Sequence, residues 1–287
     1  MILEPGRTLG RYTLVAPLGR GGMGGVWEVA DDTGARFALK APATTVGVDP
    51  ALAKRFAREA NALQMLEHPN LVTAADVFVE DDCMFIVMER VVGTTLGAAI
   101  TAGPFQPRRA LVVIRQILEG IGHAHARGFV HRDLKSDNIM LVDMGGWERA
   151  KIVDFGIVKL LGEAEAMLGG GKLTRTGTVA GTPAYMAPEQ ALGRIVDGRA
   201  DLYAIGVIAF EMLTGRLPFE HPEPAMIMRM HVKAPPPPLD PRSPWSTPAL
   251  VHLIETALAK DPTARFADAP AMIAALDLAF QSLDHVG

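Results

Sequence analysis

HRDLKSDNIML, residues 131–141, places an aspartate, a lysine and an asparagine ahead of an apolar run. Asp133 supplies a carboxylate that can accept or orient a hydroxyl proton, and Lys135 supplies a positive charge for a transferring phosphoryl group. Asn138 supplies a neutral oxygen for a hard cation such as Mg²⁺. A chance turn of mixed charge would not impose this order. KIVDFG follows at residues 151–156. There an apolar strand delivers Asp154 to its exit and Gly156 permits a sharp turn, so Asp154 is the expected second, harder oxygen ligand for the cation.

Working back towards the N-terminus, LGRGGMGGVW sets Gly19, Gly21 and Gly24 in G-x-G-x-x-G spacing, followed by Val26. Glycines let a strand-turn-strand backbone approach phosphate oxygens closely. The same spacing marks dinucleotide-binding folds, but there the glycines lead from a strand into a helix. Here the next element, VWEVA, is another strand. Tyr12 to Lys40 reads as short apolar runs broken by glycine, with a turn at Asp32-Thr33-Gly34, which predicts antiparallel strands ending in a hairpin.

FALK then puts Lys40 near the end of a strand whose neighbours Phe37 and Leu39 ask for burial. From Pro50 to His68 a helix is predicted, with Phe56, Glu59, Leu63 and Leu66 on one face. Taken singly, Lys40 is an edge lysine and Glu59 a glutamate snorkelling to water. Taken together, two awkward charges on apolar elements predict an ion pair that fixes the amine towards phosphates.

Composition narrows the class. The 287 residues are 49% apolar and 21% charged, ordinary for a well-buried globular protein. A net charge of -4 gives no general attraction to nucleic acid or anionic lipid. Cys83 is the only cysteine, so no intrachain disulfide and no thiolate-rich metal site is available, and a reducing cytoplasm fits. Glu4, Pro5 and Arg7 interrupt any export signal. The most apolar segment, LYAIGVIAFEML at 202–213, is shorter than the ~20 residues that span a bilayer and carries Glu211, so it reads as a buried helix. No membrane segment is expected.

Two further strand-like runs, NLVTAADVFVE and CMFIVMERV, close the strand-rich first region near Gly93. Helical patterns dominate afterwards, at RRALVVIRQILEGIGHAHARG, 202–213, ALVHLIETALAK and PAMIAALDLAF. Pro235 to Pro238 reads as a solvated loop. The fold class is therefore α+β.

The ordered set of G-x-G-x-x-G, Lys40, Glu59, HRDLKxxN, DFG and APE resembles the protein kinase family over nearly the whole chain. The resemblance implies a bilobal fold. A small antiparallel-sheet N-lobe with one key helix takes up about 1–90, a larger helical C-lobe about 91–287, and residues 1–287 form a single catalytic domain. FALK stands where the family often has V-A-I-K, and Ser136 replaces a common proline. The family's nucleotide site falls on Leu18, Gly19, Gly21, Gly24, Val26, Ala38 and Lys40, with Met88 as gatekeeper and Glu89 to Val91 as the adenine-binding hinge. Thr95 stands where some members place an acidic ribose contact. By the same resemblance Asp201 holds the HRD backbone, although an N-terminal helix cap explains it nearly as well. Glu189 and Arg265 resemble a buried bracing pair, and Thr182 would orient Asp133 and Lys135.

Lys135 and GTPAYMAPE resemble serine/threonine members, and the wording of LGRGGMGGVW, EHPNLV and AGTPAYMAPEQ is most similar to bacterial ones. The implied activity is transfer of the γ-phosphoryl group of ATP, with Mg²⁺ or Mn²⁺, to hydroxyls of protein substrates, the chain itself included. Thr174 and Thr176 resemble regulatory phosphorylation sites, with Arg132 and Lys159 as the phosphate pocket. The plain alternative is that these hydroxyls solvate a glycine-rich loop. A homodimer is left open, and no nucleic-acid partner is implied. Two other classes remain to be separated by experiment: a pseudokinase scaffold or nucleotide-binding signalling module, and a small-molecule phosphotransferase on a related fold.

Overall fold

The computed structural model describes residues 3–21, 24–42, 66–81, 83–154 and 183–285. The chain divides into two compact units, the first running to Val92 and the second beginning at Gly93.

Among the described residues, the first unit holds an antiparallel sheet in the order β1-β2-β3-β4-β6-β5. Its strands are β1 (Thr8–Leu9), β2 (Tyr12–Gly21), β3 (Gly24–Ala30), β4 (Arg36–Pro42), β5 (Ala74–Glu80) and β6 (Cys83–Glu89). The expected β3–β4 hairpin forms, and its turn is fixed by Asp31, whose Oδ1 accepts Thr33 N and Ala35 N, each at 2.9 Å. Period-2 alternation sends Leu14, Trp27, Val29, Leu39, Phe85 and Val87 into one core. Tyr12 joins that core and keeps its hydroxyl bonded to Asp76 at 3.0 Å.

Most of the helix expected from Pro50 to His68 lies outside the described residues. Its last three positions, 66–68, are irregular rather than helical. His68 precedes Pro69, which disfavours helical backbone, and its carbonyl instead accepts Leu71 N in a turn.

The second unit opens with β7 (Thr94–Thr95) and α1 (Leu96–Thr101), then α2 (Pro107–His125). The hairpin β8 (Ile139–Asp143) and β9 (Glu148–Ile152) completes a three-stranded sheet with β7. Among the described residues there follow four further helices and one short one: α3 (Pro188–Ala191), α4 (Arg199–Thr214), α5 (Pro224–Lys233), α6 (Pro248–Ala257) and α7 (Ala269–Ser282). α2 buries Leu111, Ile114, Ile117, Leu118 and Ile121 against α4 and α7. α4 is buried nearly all round, as its apolar run predicts, and ends on Gly215 in the left-handed region at φ 72°. No helix among the described residues is long and apolar enough to cross a membrane.

Candidate active site

In the first unit the sheet register sorts the candidate nucleotide residues by face. Directly opposed residues share a face, so Val26, Lys40 and Ile86 form one row, and Glu28, Ala38 and Met88 form the next. Both rows point away from the core that holds Trp27, Leu39 and Val87. Gly19 pairs with Val26 and Gly21 with Gly24, which brings the glycines to the tip of the β2–β3 hairpin. Leu18 is exposed near that tip.

At the far end of β6, Glu89 N donates to Thr73 O at 3.0 Å and its carboxylate accepts Thr73 N at 2.8 Å. No backbone bond within the described residues engages Val91, so a ligand can use its N–H and C=O. Glu59 lies outside the described residues, and so do Lys159, Thr174, Thr176 and Thr182.

In the second unit the HRD segment hangs on α4. The Asp201 carboxylate is buried and accepts His131 N and Arg132 N, each at 2.8 Å, while His125 Nε2 donates to it at 2.8 Å. Burial alone would raise this carboxyl, but the bond and charge of His125 outweigh it and hold Asp201 below its usual range. The helix-cap reading is corrected here. α4 begins after Gly198, and Asp201 spends its oxygens on the other loop instead. A Cβ on Gly198 would stand 2.8 Å from the His125 ring, so glycine keeps that space open. With both amides held, Arg132 adopts φ 63°, a left-handed conformation that costs energy outside glycine.

That bend sets the next residues. Asp133 Oδ2 and Lys135 Nζ lie 4.0 Å apart. Residues Ser136–Asn138 form a 3-10 turn that buries Asn138, whose Nδ2 donates to the Asp133 carbonyl at 3.0 Å. That bond fixes the amide with its nitrogen towards Asp133 and leaves Oδ1 as the acceptor end. Asn138 O accepts Val153 N at 2.9 Å, and Ile139 pairs with Ile152 across β8–β9, so Asp154 leaves its strand beside Asn138. Among the described residues no three His, Cys, Asp or Glu side chains form a metal cage. The donors at Asn138 and Asp154 are both hard oxygens, which fits Mg²⁺ completed by water and phosphate oxygens.

Glu189 and Arg265 meet in a buried bidentate pair at 2.7 and 2.8 Å. Arg265 gives its other three N–H bonds to Ala259 O, Arg199 O and Lys260 O, so all five donors are used.

Three connections escape the sequence reading. Gln190 accepts Ala187 N at 3.0 Å and donates to Arg132 O at 2.9 Å. Tyr185 donates to Glu211 at 2.8 Å and lies 2.7 Å from Ser136 Oγ. His231, on α5, reaches Tyr203 and Ala184. Apart from Ala187, each partner is distant in sequence, and no local pattern marks it.

The two sheets, the loop on Asp201 and the pair Glu189–Arg265 place the chain in a known class: it belongs to the protein kinase domain family, whose sequence model matches residues 12–276. It is 42% identical over 279 residues to the serine/threonine-protein kinase Pkn1 of Myxococcus xanthus, covering 96% of this chain and 39% of that protein. It is 37% identical over 278 residues to the serine/threonine-protein kinase PrkC of Bacillus subtilis, covering 96% and 41% respectively. The chain thus spans about two-fifths of the length of these curated relatives. The crystal structure of the M. tuberculosis PknI kinase domain is similar at TM-score 0.74 and 26% identity, covering 97% of this chain and 99% of that one. The relatives are bacterial, and the fold is the expected protein kinase fold. The family uses ATP and a divalent metal.

Proposed function

We propose that residues 1–287 form one catalytic domain, N-lobe about 1–90 and C-lobe about 91–287, that moves the γ-phosphoryl group of Mg·ATP onto serine or threonine hydroxyls of proteins. The observation that carries this reading is the Asn138 amide bonded to the Asp133 carbonyl while the Asn138 backbone holds Val153 next to Asp154. The Asp133 carboxylate and the two hard oxygen donors are thereby tied to neighbouring backbone at one end of the β8–β9 hairpin.

Asp133 would accept or orient the acceptor hydroxyl, and Lys135, 4.0 Å from it, would face the transferred group. Asn138 and Asp154 would hold Mg²⁺, with Mn²⁺ as a substitute. When bound, the metal supplies positive charge against the phosphate oxygens. Lys40, paired with Glu59, would direct its amine to ATP phosphates, and Gly19, Gly21 and Gly24 would let the backbone approach a triphosphate. Leu18, Val26, Ala38 and Met88 would line the base, with Glu89 and Val91 offering backbone groups to its edge.

The acceptors are proteins, the chain itself among them. Thr174 and Thr176 would be its own sites, with Arg132 and Lys159 as the pocket that receives the phosphate and Thr182 orienting Asp133 and Lys135. A homodimer would let one copy phosphorylate another. A cytoplasmic location follows from the need for ATP.

The test is incubation with labelled Mg·ATP and a generic protein acceptor, followed by mass mapping of phosphosites. Label on serine and threonine, including Thr174 or Thr176, is expected. Nucleotide binding without transfer would turn the reading to a pseudokinase scaffold.

A further inference from the structure

α5 buries a single side chain completely, and that side chain is a histidine rather than an apolar anchor. His231 packs edge-on to Phe219 at 4.9 Å and to Tyr203 at 5.6 Å between ring centroids. Both ring nitrogens are engaged. Nε2 lies 3.0 Å from the Ala184 carbonyl and Nδ1 lies 2.8 Å from the Tyr203 hydroxyl. A carbonyl only accepts, so Nε2 carries the proton and Nδ1 accepts from Tyr203. Burial, reinforced by the Lys260 charge, holds the ring neutral.

The position of Ala184 gives this bond its meaning. Pro183–Tyr185 is a single 3-10 turn with little internal bonding, and no backbone bond among the described residues uses the Ala184 carbonyl. Side chains from elsewhere hold the segment instead: Gln190 takes Ala187 N, Ser136 and Glu211 take the Tyr185 hydroxyl, and His231 takes Ala184 O. The Ser136 and Gln190 links run directly into the loop that carries Asp133. A protein presenting a hydroxyl to Asp133 would therefore lie along Pro183–Tyr185.

We propose that His231 is a positioning residue for the protein acceptor: its Nε2–H on the Ala184 carbonyl fixes Pro183–Tyr185 beside the Ser136–Asn138 turn, and so sets acceptor binding without touching the nucleotide. The inference rests on the phosphoryl transfer proposed above.

Two near-isosteric variants separate this role from mere core filling. The amide nitrogen of glutamine stands where Nε2 stands and can still donate to Ala184, whereas asparagine is too short and can only replace the Nδ1 side. For His231→Asn the KM for a peptide acceptor should rise roughly tenfold, the effect of leaving one buried acceptor unpaired, while the KM for ATP stays put. His231→Gln should restore most of the loss. Amide exchange at residues 183–187, measured without nucleotide or acceptor, should accelerate in His231→Asn and much less in His231→Gln.

Equal behaviour of the two variants, a parallel rise in the KM for ATP, or unaltered exchange at 183–187 would overturn the proposal. If wild-type protein transfers no phosphate at all, the catalytic reading fails and the role in acceptor binding falls with it. If wild type is active and the variants match it, this inference alone fails.

Discussion

Ser136 Oγ lies 2.7 Å from Tyr185 Oη, and because the Tyr185 proton goes to Glu211 at 2.8 Å, the serine hydroxyl is the donor to the tyrosine oxygen. A residue that replaces a common proline thus acquires a buried tie between the turn of Asn138 and the segment before α3. Burial first, then the Glu211 charge, holds the Tyr185 phenol far above its usual value, so the phenol keeps its proton.

Ser136→Ala is expected to cost about 1 kcal/mol of stability and Tyr185→Phe a similar amount, as for one buried hydrogen bond each. The double variant should cost less than the sum, since either change breaks the same link. Urea denaturation of the four proteins measures the coupling; strict additivity would show that the two hydroxyls act separately.

Asp201→Asn should leave one of the two HRD amides facing an N–H₂ donor, because the side-chain oxygen can serve only one of them. The expected result is a fall in kcat of ~10- to 100-fold, the effect of one unpaired buried donor at a site that must be positioned. Steady-state kinetics with thermal unfolding in parallel would separate misplacement of the loop from unfolding. Unchanged kcat would mean that His131 and Arg132 hold their conformation unaided.

Arg265→Met should destabilise by ~3–5 kcal/mol, the cost of stranding a buried Glu189 carboxylate. Glu189→Leu with Arg265→Met should recover part of this. Recovery cannot be complete, since the carbonyls of Ala259, Arg199 and Lys260 lose their donor as well. Full recovery in denaturation midpoints would contradict that accounting.

Asp133→Asn is expected to lower phosphoryl transfer by ~10²- to 10⁴-fold with nucleotide affinity nearly intact, as for loss of a hydroxyl-orienting base. Asp154→Asn should also weaken metal-dependent nucleotide binding, because it removes a hard oxygen ligand. Calorimetric titration with Mg·ATP beside single-turnover transfer distinguishes them. Near-normal turnover in either variant would sink the proposed roles.

The acid limb of stability should report His231. Burial first and the Lys260 charge second push its pKa down to about 4, against an ordinary value near 6.5. Between those values the unfolded chain binds more protons, so stability rises with pH across the window and is lost as pH falls through it. The loss amounts to roughly 3 kcal/mol. Lys260, pushed down to about 8 by burial and then by Arg265, adds a second rise between about pH 8 and 10.5. His231→Gln should flatten the acid window and leave the alkaline one in place, as read from denaturation midpoints against pH.

The sequence by itself determined the fold class and the candidate chemistry, because both are written in local patterns. Period-2 runs with a glycine turn gave β2, β3 and β4, a continuous apolar run gave the buried α4, and HRDLKSDN with KIVDFG put the oxygen donors in order. It did not find α5, which is far less apolar than α4, α6 and α7 and whose single buried residue is polar. Nor could it choose between a helix cap and a loop anchor for Asp201, since both readings need the same residue type. Only the tertiary structure decided that, by bringing His125, His131 and Arg132 to one carboxylate across about 70 residues of chain. The same holds for Ser136 with Tyr185, Gln190 with Arg132 and His231 with Ala184: a hydrogen bond is specified by where its donor and acceptor lie in space, and no sequence spacing encodes that for partners on different elements.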